Sequence, residues 1–217
     1  MSGLLTKDFR LITQRKESFL MFIIIAAVMG YAMDGSFVVG YMTLLGTTLG
    51  IGTLSYDEMD NGMPFIMTWP ISRKTYCLEK YIFCSITAVA SWAFGLIAYF
   101  AVNTAKNAPF NFLDEFPGMV AFLPVMIIIL SIMLPVEVKF GMEKSRVIML
   151  IVFGALGASI VFLSGIVGGS ENRFLMLAAK LSEFNPVVVI GVMVVGALII
   201  CLVSYLLTCK IMNKKEF

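Results

Sequence analysis

GMVAFLPVMIIILSIMLPV, residues 118–136, holds nineteen positions without a single charge. As a helix it is about 28 Å long, close to the ~30 Å hydrocarbon core of a bilayer. A run this long and this apolar reads as a membrane span, and five other stretches repeat the pattern. They are residues 18–33, 36–56, 81–102, 147–168 and 186–209. The first is short and meets the second at Asp34-Gly35, a turn pair that makes the two a tight helical hairpin. A signal peptide is not expected there, since a polar-rich segment precedes the run and no small-residue cleavage pattern follows it.

Composition agrees. The chain of 217 residues is 59% hydrophobic and 14% charged, with a mean hydropathy of +0.94, whereas soluble domains carry about 25% charged residues. An all-α, polytopic membrane protein with six spans is expected, forming one domain over residues 1–217. The net charge of +2 is too small to suggest a nucleic-acid partner. Cys84, Cys201 and Cys209 lie in or at the ends of apolar runs and Cys77 in a polar segment, so all four are read as free thiols.

Orientation follows from lysine and arginine, because positively charged loops resist translocation. With the N-terminus inside, 13 of the 16 basic residues fall on the cytoplasmic side and Lys106, Arg173 and Lys180 outside. Both termini are therefore expected in the cytoplasm. Outside the spans, residues 2–16 place Leu4, Leu5, Phe9 and Ile12 on one helical face, which suits an interfacial amphipathic helix over residues 1–17. Residues 171–184 place Phe174, Leu177, Ala178 and Leu181 at helical spacing, suggesting an outer amphipathic helix before the sixth span. Pro186 then suits a first helical position. Residues 103–117 show no clear periodicity.

Several chemistries are excluded. No charge lies near the middle of a span, with Asp34 and Glu137 at ends, which disfavours an ion-coupled carrier. There is no phosphate-cradling GxxxxGK[ST] loop and no histidine, and no paired carboxylates or nucleophile set for hydrolysis. The chain is not expected to be an enzyme or to bind a cofactor or metal. Asp57, Glu58 and Asp60 read as the start of a solvated loop. Gly46-x-x-x-Gly50 and Gly154-x-x-x-Ala158 are small-residue pairs that let helices approach, either within the chain or at a dimer or cavity seam. Pro124 and Pro135 should loosen or kink the fourth span.

Between the second and third spans the chain reads YDEMDNGMPFIMTWPISRKTYCLEKY, residues 56–81. Gly62 and Pro64 break the incoming helix, and Ser72 is placed to cap a new one beginning at Arg73. Residues 57–80 thus form a short elbow whose apolar tip, residues 65–71, has no core of its own. Exposed apolar surface rimmed by charge marks a partner contact, or else aromatic rings dipping into the headgroup layer beside positive-inside charges. Residues 137–146, with Lys139 and Glu143 at i, i+4 beside Lys144 and Arg146, offer either a smaller contact or a snorkelling helix end.

The spacing Glu58-x-x-x-Gly62 running into PFIMTWPISRKTYCLEKY (residues 64–81), with LPVEVKFGMEKSRVIM (residues 134–149), resembles the permease subunits of ABC type-2 exporters. The branch found in Gram-positive bacteria typically has LPISR, where this chain has Trp69 in place of leucine. Within it the chain is most similar to permeases of phenol-soluble-modulin exporters, which expel amphipathic, cytolytic peptides. The resemblance implies a multi-pass permease of a bacterial plasma membrane, acting as a homodimer or with a sister permease. Two copies of a separate subunit would bind ATP and Mg and supply the energy. It also implies that Glu58, Gly62, Phe65, Trp69, Pro70, Ser72, Arg73, Lys74 and Tyr76 form the coupling loop that docks on the ATPase, with Glu137, Lys139, Glu143, Lys144 and Arg146 as a secondary contact. Amphipathic peptides are the expected cargo, followed by lipophilic drugs; a non-transporting immunity or scaffold protein is the rival reading.

Overall fold

The computed structural model describes residues 2–14, 16–32, 35–59, 62–106, 112–166 and 186–215. Among them there are seven helices and no strand: α1 (Ser2–Thr13), α2 (Lys16–Ala32), α3 (Gly35–Glu58), α4 (Gly62–Met67), α5 (Arg73–Lys106), α6 (Phe112–Ile166) and α7 (Pro186–Lys214). Four helices are long and apolar enough to cross a membrane, within residues 37–58, 73–106, 115–141 and 186–214, and a shorter apolar helix covers residues 21–31. These coincide with the expected second, third, fourth, sixth and first spans. The expected fifth span falls in the distal arm of α6, which stays helical to Ile166. The expected outer helix over residues 171–184, Asp34 and Asp60 lie outside the described residues, as do the side chains of Glu143, Arg146 and Ala158.

α3 is the central strut. It packs along α5 and α6, while α7 closes the bundle against α6 and α5, and α2 leans on α3 and α5. The α3–α5 seam explains the small residues. A Cβ on Gly46 would strike the Ser91 side chain, one on Gly50 the Thr87 hydroxyl, and one on Gly95 would lie 3.0 Å from the Val39 Cα. Gly46 and Gly50 therefore serve packing within the chain, where backbones come close because no side chain intervenes. Gly154 has open space around it.

Pro124 and Pro135 sit inside α6, yet the non-helical backbone is at Gly141 (φ 76°, ψ 171°), a combination essentially restricted to glycine. Pro135 removes the amide that would bond to the carbonyl of Ser131, one turn earlier. That carbonyl accepts instead from the Ser204 hydroxyl on α7. Ser204 also shares a hydrogen bond with Tyr81 of α5 at 2.6 Å, and Tyr81 bonds Thr208 at 2.8 Å. The proline thus becomes the point where α6, α7 and α5 are tied by polar contacts, which explains why the helix continues through it.

The largest apolar core lies at the end of the bundle where the elbow joins it. Leu4, Leu54, Ile66, Tyr76, Leu134 and Met212 bring α1, α3, α4, α5, α6 and α7 together there. α7, by contrast, shows apolar residues such as Val188, Val192, Leu202 and Leu206 on its exposed side, the surface expected of a helix in contact with lipid.

Candidate functional site

The elbow is built by a stop and a restart. α3 ends at Glu58, and a Cβ on Gly62 would come within 2.8 Å of the Asp57 carbonyl, so glycine lets α4 fold back onto the end of α3. After α4 the chain turns through Thr68 and Trp69, whose amides bond to the carbonyls of Phe65 and Ile66. The Ser72 hydroxyl accepts from the Thr75 amide at 3.1 Å, the expected N-cap of α5. At the tip Phe65 and Trp69 pack edge to face, with ring centroids 6.1 Å apart. They remain 63% and 39% exposed, and Pro70 and Lys74 are exposed beside them.

Behind this apolar tip lies a buried ion network that contradicts the sequence expectation for Asp57. Its carboxylate is 4% exposed and accepts from the Tyr76 hydroxyl at 2.8 Å. It also pairs with the Lys80 ammonium at 2.7 Å and with Lys7. Lys80 pairs at the same time with Asp8 of α1 and donates to the Thr53 hydroxyl at 3.3 Å. Lys7 lies 3.1 Å from the other oxygen of Asp8. Two lysines and two aspartates from α1, α3 and α5 thus balance in charge where water is largely excluded. Burying any one of these charges alone would cost several kcal/mol.

Glu58 does not face open solvent either. It pairs with Lys215 at 3.1 Å, and Lys215 donates at the same distance to the Val138 carbonyl, which lies just before the break in α6. The break at Gly141 strips the preceding carbonyls of helical donors, and the lysine fills that need. Arg73 reaches the far end of α7, donating to the carbonyls of Met212 and Asn213 at 3.0 Å each. Basic side chains at a helix C-terminus meet both the orphan carbonyls and the dipole. The end of α3, the start of α5, the break in α6 and the end of α7 are therefore latched together.

The nine expected coupling residues thus divide. Phe65, Trp69, Pro70 and Lys74 form the exposed tip. Gly62 and Ser72 shape the backbone, while Tyr76, Arg73 and Glu58 fasten the elbow to the bundle and are not available as a free rim. Lys80, counted among the loop cations, is buried in the network. Glu137, expected at a span end in either a secondary contact or a snorkelling helix end, is buried and accepts from the Ser55 hydroxyl at 2.7 Å. Lys139 lies over the Phe140 ring at 4.9 Å and Lys144 is exposed. Gly141 breaks the helix between Lys139 and Glu143, so their one-turn spacing is interrupted.

Sequence reading missed Lys7, Asp8, Glu79, Ser55 and Lys215. One signal was present: Asp8 falls one turn after Leu4 and one before Ile12, a charge within the apolar stripe of α1. Leu4 and Asp8 form the buried face of α1, while Phe9 is 64% exposed. All four cysteines are free. Among the described residues no cluster of acids and cysteines could hold a metal ion. The arrangement is mechanical in character, an apolar knob on a lever whose root is pinned by charge.

No curated protein and no solved structure matches the chain. Residues 3–213 match the family described as ABC-2 family transporter protein. The match includes the elbow and the ion network and reaches into every described helix, and the chain belongs to that family.

Proposed function

We propose that the chain is the six-span permease subunit of an ATP-driven exporter, with both termini and the elbow in the cytoplasm of a bacterial cell. Family membership supports partnership with a separate ATP-binding subunit and dimerisation. Amphipathic peptides are the cargo we assign, because the spans are rich in Met and Phe and carry no charge near their middles, leaving an apolar path for such a molecule. Two copies of the ATPase, with bound ATP and Mg, grip Phe65 and Trp69, and their closure moves α4.

The observation that carries this reading is the exposed aromatic pair on an elbow that is otherwise fastened to four helices. A hydrophobic anchor of this kind dominates a protein contact, and the rigid root passes its displacement into α3 and α5. Glycine at the α3–α5 seam keeps those two helices moving as a unit.

Transport in vesicles reconstituted with permease and ATPase tests the proposal. ATP-dependent uptake of a labelled amphipathic helical peptide into inside-out vesicles is expected, insensitive to an ionophore. Uptake of a lipophilic dye without the peptide would reassign the cargo. Uptake that ignores ATP and collapses with the ionophore would overturn the mechanism.

A further inference from the structure

The ion network leaves one acid over. Glu79, next to Lys80 on α5, is fully buried, and neither of its carboxyl oxygens has a hydrogen-bond partner. The Oδ1 of Asp8 is likewise buried without a hydrogen bond, although Lys7 lies 3.1 Å away. The charged groups that act on Glu79 are Lys80 on its own helix, Asp8 and Lys7 on α1, and Asp57 on α3. Lys7 and Lys80 are already matched by Asp8 and Asp57. Ionised, Glu79 would be a third negative charge against two positive ones, with no donor to replace its water.

We propose that Glu79 carries a proton in this arrangement and that it is a proton-binding site on α5 whose occupancy holds α1 against the bundle. With the O–H bond intact, Glu79 adds no further negative charge beside Asp8 and Asp57. When the bond breaks, its electron pair stays on Glu79 and the proton leaves to water. Glu79 then repels Asp8 on α1 and Asp57 on α3. α1 is the element free to yield, because its buried contacts reduce to Leu4, Asp8 and the half-exposed neighbours.

Two readouts on the full-length permease in lipid nanodiscs test this. Infrared spectra at about pH 6 are expected to show the carbonyl stretch of a buried protonated carboxyl, and Glu79→Gln is expected to remove it. Hydrogen exchange of α1 amides, corrected for intrinsic rate, is expected to quicken by at least about tenfold between about pH 6 and about pH 9 in the native chain and to stay constant in Glu79→Gln. No such band in the native protein, a band that survives Glu79→Gln, or equal pH response in both proteins overturns the proposal. Should Glu79→Gln fail to fold, Glu137→Gln takes its place, since Glu137 is the other buried glutamate among the described residues. A band that persists in that variant supports the assignment to Glu79, and its loss overturns it.

Discussion

Lys80 sits between two aspartates from different helices with 3% of its side chain exposed. Replacing it with methionine keeps the length of the side chain but leaves Lys7 alone to balance Asp8 and Asp57, an uncompensated buried charge that costs ~3–5 kcal/mol. Thermal midpoints in detergent are expected to fall sharply for Lys80→Met and less for Lys80→Met combined with Asp57→Asn, because the double change removes the unbalanced charge and leaves Lys7 paired with Asp8. Equal losses in the two would deny that the pair is energetically coupled. Tyr76→Phe, which deletes the hydroxyl donated to Asp57, should cost about 1 kcal/mol by the same assay. Apart from Asp8, a charge within the apolar stripe of α1, none of this was legible locally. A lysine just before an apolar run reads as a cation facing the cytosol, and its burial depends on Asp8, 72 positions away. The serine cap, in contrast, was legible because its partner is only three residues along.

α6 shows what a helix does with a strained sequence. At Pro135 a hydroxyl on α7 takes up the freed carbonyl and the helix continues, whereas Gly141 breaks it. Gly141→Ala would impose a side chain at φ 76° and bring its Cβ to 3.1 Å from the Glu58 carboxylate. A loss of about 1–3 kcal/mol in unfolding stability is expected; an unchanged midpoint would mean that the break is not held in place by glycine. At the α3–α5 seam, Gly95→Val is expected to lower the midpoint far more than Gly154→Val. The first would drive its Cβ against the Val39 backbone, and the second meets open space. The long apolar elements were readable because the lipid solvent demands unbroken helices. The separation of the fourth and fifth spans was readable as a break within residues 137–146, but not its position at Gly141, since a single glycine beside charged residues is equally at home at a helix end.

Across the whole molecule, the elbow emerges as a solid piece of the bundle carrying a small exposed knob. Arg73 and Lys74 looked equivalent in sequence, yet one holds the end of α7 and the other faces outward. Arg73→Glu is accordingly expected to lower the thermal midpoint, and Lys74→Glu to leave it unchanged. The most direct test of the account is co-purification of the chain from its native membrane with its ATP-binding subunit, comparing the native sequence with Trp69→Ala. The ATPase is expected to come down with the native chain and to be lost, or to hydrolyse ATP without moving cargo, when Trp69 is truncated while the thermal midpoint of the permease holds. An ATPase that binds and drives transport equally well in Trp69→Ala would contradict the central claim that the elbow tip is the lever.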